Sequence, residues 1–194
     1  MTRGIDFYYD FISPYSYLAH KKISDLKKQN KIIFNYKEIL LGGLHKLEGI
    51  TAPFFINSKA KFMIRDCKMV AKKLNYKFTF NSNFPINSLK LMRGTLILDE
   101  KIRILYVDKI FNAYWGDGLN LSDESVLNKI LIELDIDKDF FYKNINEKKN
   151  KEKLKRYTED AHKIGIFGAP SYVINKKIFW GQDRLEFALD EYNK

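Results

Sequence analysis

Residues 5–9, IDFYY, alternate apolar and polar positions until Asp10 ends the run. A period of two with aromatic side chains predicts a strand with one buried face. Directly behind it Ser13 offers a helix N-cap and Pro14 the first helical position, where a missing N–H costs nothing. Tyr17, Leu18, Ile23 and Leu26 then give a helix an apolar side, until the polar stretch Lys28 to Lys31 ends it. IIFNYKEIL, 32–40, predicts a second strand, so the chain opens as a β-α-β unit, most simply right-handed and parallel.

After GGLHKLEGITAP the period lengthens to that of helices for roughly a hundred residues. Helices are expected over 59–74, 87–99, 101–114 and 122–134, the last opened by Asp123 and Glu124, and helical character continues over 140–145 and 151–163. NYKFTFNSNFP, between the first two, reads as an irregular connection. The pattern turns mixed again near the end. Residues 171–174 alternate as a strand, Asn175-Lys176-Lys177 makes a turn, and 178–180 pairs back as a hairpin. Asp183 is expected to cap a last helix with Leu185, Ala188, Leu189 and Tyr192 on one face. Two terminal pieces supply a sheet around a helical block: a discontinuous domain over 1–46 and 164–194, and an insertion over 47–163.

Composition narrows the function classes. With 194 residues, 45% of them hydrophobic, the chain can bury a full core. No run of roughly 18 apolar residues exists to span a membrane. The opening MTRG runs straight into the strand pattern without the charged and apolar regions of a signal peptide, which leads us to expect a cytosolic protein. One cysteine, Cys67, cannot make an internal disulfide, and with Met63, Val70 and Leu74 it lies on a helical stripe suited to the core. The net charge of +10 invites a nucleic-acid reading, yet the lysines are scattered. The dense run KKNKEKLKR reads as a solvated helix face.

Ser13-Pro14-Tyr15-Ser16 has the frame of a thioredoxin CPYC motif with both thiols replaced by hydroxyls. A helix start presents unpaired N–H groups and positive potential, so a thiolate placed there is stabilised and its pKa falls. A hydroxyl can donate a hydrogen bond to that sulfur, which here must come from a ligand. Phe167-Gly168-Ala169-Pro170-Ser171 precedes a strand; an X-Pro bond is the common place for a cis peptide, and such a turn can hold the groups of Ala169 open for a peptide-like ligand. In Trp180-Gly181-Gln182-Asp183-Arg184, helix amides suit a carboxylate and Asp183 suits an ammonium, a pair fitted to an amino-acid head. Each piece alone reads as ordinary capping or loop chemistry.

Together, DFISPYSYLA, FGAPSY and WGQDRLEFAL, with NAYWGDG at 112–118 and FMIRDCKMVAKKL, resemble the 2-hydroxychromene-2-carboxylate isomerases, relatives of kappa-class glutathione transferases in the DsbA-like thioredoxin superfamily. The resemblance covers nearly the whole chain. It implies a thioredoxin fold interrupted by helices, a homodimer, a small unsaturated or aromatic substrate, and glutathione as cofactor. It further implies that Ser13 faces the glutathione sulfur and that Ala169, before cis-Pro170, pairs with the cysteinyl backbone. Gln182 and Asp183 match the γ-glutamyl contacts, and Lys59 lies near the glycyl end. Ile50 stands where kappa enzymes have an asparagine, so that contact is lost. Ser16, Asn112 and Trp115 are candidates for the substrate pocket; Trp115 suits the core or a dimer interface equally.

The thiolate would add to a conjugated carbon, release rotation about a double bond, and leave, giving isomerisation. A kappa-like transferase, which keeps the sulfur on the product, and a non-catalytic peptide-binding module remain alternatives. Ser16 and His20 share a helix face, but no GxSxG elbow supports a hydrolytic pair. His20, His45 and His162 lack metal-ligand spacing, and GGLHKLEG lacks the lysine and Ser/Thr of a nucleotide loop.

Overall fold

The computed structural model describes residues 4–29 and 32–194, without the side chains of Lys28 and Gln29. The end of the 28–31 stretch and the opening Met1–Arg3, on which the leader and helix-end expectations fall, lie outside the described residues. Strand β1 (Ile5–Tyr9) buries Ile5, Phe7 and Tyr9 and turns Asp6 and Tyr8 the other way, as its alternation requires. Helix α1 (Pro14–Gln29) follows, and then β2 (Phe34–Glu38), which pairs with β1 in parallel from Ile5↔Phe34 to Tyr9↔Glu38. The C-terminal strands β3 (Ser171–Ile174) and β4 (Lys177–Trp180) complete one sheet in the order β2-β1-β3-β4, with β3 antiparallel to β1 and to β4. The β3–β4 turn needs two left-handed residues; Asn175 and Lys176 take φ of 51° and 63°.

The helical middle comprises α2 (Leu41–Glu48), α3 (Asn57–Lys73), α4 (Leu89–Thr95), α5 (Glu100–Phe111), α6 (Glu124–Glu133), α7 (Lys138–Asn146) and α8 (Lys148–Lys163), and α9 (Leu185–Tyr192) closes the chain. Side-chain caps set several starts: Asp99 accepts from Ile102 N–H, Asp123 from Ser125 N–H and Asp137 from Phe140 N–H. The helix expected over 87–99 is therefore shorter, because Asp99 begins the next one. The helix expected over 101–114 changes to a π-helical turn at Asn112–Gly116. Helix α2 is absent from the sequence reading, since Gly42 and Gly43 weaken helix propensity. It forms because Leu44 is buried, because Leu40 N–H finds Thr158 Oγ1 on α8 at 2.9 Å, and because Gly49, at φ 67°, closes its end. The boundary drawn at residue 46 thus falls inside α2.

Each sheet face carries its own packing. Phe7, Tyr9 and Tyr172 point into a large cluster with Tyr17, Leu18 and Ile23 of α1, Leu185 and Ala188 of α9, and Phe111, Trp115 and Phe141 from the helical middle. Tyr8, Val173 and Ile178 face a smaller one with Ile39, Leu44, Ala161 and Ile166. One apolar cluster therefore runs from the sheet into the helical block. The irregular segment 75–88 is irregular for a packing reason: Phe78, Phe80 and Phe84 surround the Trp115 ring at centroid distances of 6.0, 5.6 and 5.5 Å. Buried Asn81 ties it down by donating to the carbonyls of Tyr114 and Leu119.

Candidate active site

Ser13 ends the β1–α1 loop where the sheet face meets the start of α1. Its Oγ accepts from Ser16 N–H at 3.1 Å, the N-cap geometry, and donates to the Ala169 carbonyl at 3.0 Å, 156 residues away in the chain. The Ala169–Pro170 peptide bond is cis. Pro170 C=O in turn accepts from Gly181 N–H at 2.9 Å, so a line of hydrogen bonds joins Ser13, Ala169-Pro170 and the turn carrying Gln182 and Asp183. Three segments picked out separately by sequence are neighbours.

Two residues to which the sequence reading gave no site role hold these segments, Asp10 the Ser13 loop and Lys22 the 181–184 turn. Asp10 is fully buried; its carboxylate accepts from Ile12 N–H at 3.1 Å and Leu41 N–H at 2.8 Å, and its carbonyl accepts from Ser13 N–H at 3.1 Å. Burial raises its pKa, while the two backbone donors oppose the rise. A short polar residue three places before an N-cap was the signal for it. Lys22 is the second: its ammonium donates to the Gln182 carbonyl at 3.1 Å, and burial of its stem lowers its pKa against the attraction of Glu186 and Asp183.

Other expected residues are placed differently. Asp183 does not cap α9; that position belongs to Arg184, because Arg184 N–H bonds to Gly181 C=O in a tight turn that leaves Asp183 outside, its carboxylate on the Arg184 guanidinium at 2.7 Å. Gln182 is buried, and its Oε1 has no hydrogen-bond partner. Lys59 stands exposed in the first turn of α3, two turns ahead of Cys67. Ile50 is exposed just past the end of α2.

Trp115 has no accessible surface and is not a pocket wall; its Nε1–H donates to Phe11 C=O at 2.8 Å, which fixes the Ser13 loop from beneath. Asn112 lies beside Lys21, whose ammonium donates to its side chain at 3.3 Å. The Asn112 amide itself donates to Asp108 C=O at 2.8 Å. Ser16 is fully buried and its Oγ lacks a partner, which removes it from any open pocket wall. His20 turns away from Ser16: Nε2 donates to Asp108 at 3.0 Å and Nδ1 accepts from Tyr36 O–H at 2.8 Å. Cys67 is buried, and desolvation pushes its thiol well up, so it stays protonated.

A cavity of about 560 Å³ opens between β2, α5 and α8, lined by Tyr36, Glu38, Arg103 and Tyr157 among others, and includes none of the expected binding residues. A smaller one of about 260 Å³, between α1 and α9, is lined by Lys22, Asp183 and Glu186 among others. The second reaches the 181–184 turn through Asp183.

This fold and helix-start site define a class. A family described as the DSBA-like thioredoxin domain matches residues 4–193, and the chain belongs to that family. Within it, the chain is 28% identical to a 2-hydroxychromene-2-carboxylate isomerase of Sphingobium xenophagum, covering 99% of this chain and 98% of that protein. It is 23% identical to glutathione S-transferase kappa 1 of Homo sapiens, covering 96% and 89%. The solved structure of a 2-hydroxychromene-2-carboxylate isomerase superposes with a TM-score of 0.88 at 26% identity, covering 96% of this chain and 92% of that one.

Proposed function

We propose that the chain is a glutathione-dependent isomerase of the 2-hydroxychromene-2-carboxylate isomerase type. The observation that carries this reading is the Ser13 hydroxyl, an N-cap of α1 in contact with the Ala169 carbonyl, in a protein whose one thiol is buried elsewhere. The residues present fit the tripeptide. Ala169 offers a carbonyl at the Ser13 hydroxyl and an N–H with no protein acceptor among the described residues, a pair suited to a cysteinyl backbone. Gln182 offers a buried acceptor without a partner, Asp183 a carboxylate for an ammonium, and Lys59 an exposed cation for a distant carboxylate.

When bound, glutathione supplies a thiolate, a nucleophile able to add reversibly to a conjugated carbon and so free rotation about a double bond. The start of α1 stabilises the anion through its dipole. Ser13 stabilises it further by turning its O–H from Ala169 to the sulfur, while Ala169 C=O exchanges that donor for the ligand's N–H. Ser16 N–H keeps Ser13 Oγ oriented meanwhile. The kappa transferase relatives favour a second reading, in which the same site leaves the sulfur on the product.

Incubation with a catalytic amount of glutathione and a cis-configured, conjugated aryl keto acid separates the two. Turnover exceeding the glutathione present, with the thiol recovered, supports isomerisation; a stable thioether supports transfer; failure of parent protein to bind glutathione overturns both. The buried unpaired Cys67 fits a reducing cytosol. Exposed Phe62 and Met69, seven residues apart on α3, support a homodimer, which sedimentation equilibrium tests.

A further inference from the structure

We infer that Lys22 binds the α-carboxylate of the γ-glutamyl head, completing with Asp183 and Glu186 a zwitterion site in the α1–α9 cavity. The inference rests on the glutathione reading and names a residue that reading does not use.

Lys22 sits in the third turn of α1, half-buried, with its ammonium on the Gln182 carbonyl at 3.1 Å. An ammonium carries three donors, and that is the one hydrogen bond it makes among the described residues. No carboxylate of the described residues lies within ion-pair distance of it; Asp183 and Glu186 act on it through space alone. The cavity of about 260 Å³ brings this under-used cation and those two exposed carboxylates to one space. Beside it, bonded to Lys22 through its backbone, Gln182 keeps a buried Oε1 acceptor without a donor. Spare ammonium donors on one wall face two carboxylates on the other, Glu186 and an Asp183 that shares its charge with the Arg184 guanidinium at 2.7 Å, and this pattern complements a group that is both carboxylate and ammonium. An α-amino acid head is such a group. The plainer role, a clamp holding the 181–184 turn against α1, uses one donor and leaves the Gln182 acceptor unexplained.

Titration calorimetry with two tripeptides separates these roles: glutathione, and γ-aminobutyryl-cysteinylglycine, which lacks only the α-carboxylate. Parent protein is expected to bind glutathione about tenfold more tightly than the analogue, the worth of one charge-assisted hydrogen bond. Lys22→Met is expected to lose that tenfold for glutathione and bind both alike; Lys22→Arg keeps the preference. Equal binding of both by parent protein overturns the assignment while leaving glutathione binding intact. So does a Lys22→Met variant that weakens both equally. The parent comparison holds even if Lys22→Met fails to fold, and binding of neither tripeptide by parent protein overturns the glutathione reading together with this one.

Discussion

The hydroxyl of Ser13 and the carbonyl of Ala169 meet at 3.0 Å, joining the first helix to the turn before the third strand. The same oxygen caps the helix, so one side chain serves both local and long-range structure. Ser13→Ala should lower the melting temperature by about 2–4 °C, the effect of losing roughly 1 kcal/mol of N-cap in a chain this size. In the glutathione complex it should raise the thiol pKa, read by ultraviolet titration of the thiolate; an unmoved titration counts against the proposed mechanism.

Trp115→Phe keeps an apolar ring in the aromatic cluster but leaves Phe11 C=O without its donor. A buried unpaired carbonyl costs about 1–3 kcal/mol. Urea denaturation should show a loss of at least that size, and glutathione affinity should fall with it because the Ser13 loop loses its support. Unchanged affinity would separate Trp115 from the site.

Two glycines should respond in opposite directions to alanine. At Gly94 a Cβ would lie 2.6 Å from the Tyr106 hydroxyl and 2.8 Å from the Phe141 ring, inside the core, so Gly94→Ala should cost about 1–3 kcal/mol. At Gly42, in α2, a Cβ meets nothing within 4 Å, and Gly42→Ala should gain about 0.5–1 kcal/mol. Denaturant midpoints measured side by side check both signs.

Burial lowers the His20 pKa, with the Asp108 hydrogen bond acting against it, so the folded protein keeps this imidazole neutral to lower pH than the unfolded chain does. Below the unfolded value of about 6.5 the unfolded chain takes up the proton first, and stability falls as pH falls, by up to about 1.4 kcal/mol per unit. Chemical denaturation at pH 7 and 5.5 should show this loss, and His20→Gln should reduce it. An equal loss in that variant would assign the slope to other groups.

Much of the fold was legible because its signals are local. IDFYY alternates, Ser13-Pro14 starts a helix, and SYVINKKIFW folds back on itself, each from its own residues. Helix α2 escaped because two glycines deny it propensity, and burial of Leu44 and the Thr158 hydroxyl on a helix a hundred residues later supply what the local pattern lacks. Asp183 was misread as a cap because residue type permitted it, whereas the Gly181 turn decided which backbone N–H groups were left to cap.

The sequence by itself determined that a thioredoxin-type frame survives here without its dithiol, since Ser13-Pro14-Tyr15-Ser16 keeps the spacing of the motif. Tertiary structure alone decided what the Ser13, Ala169-Pro170 and 181–184 segments touch. Trp115 became a buried brace, Asn112 came to rest beside Lys21, and Lys22, an ordinary lysine in the sequence, against Gln182. Contacts between residues far apart in the chain depend on how helices pack over a sheet, and no local pattern encodes that distance.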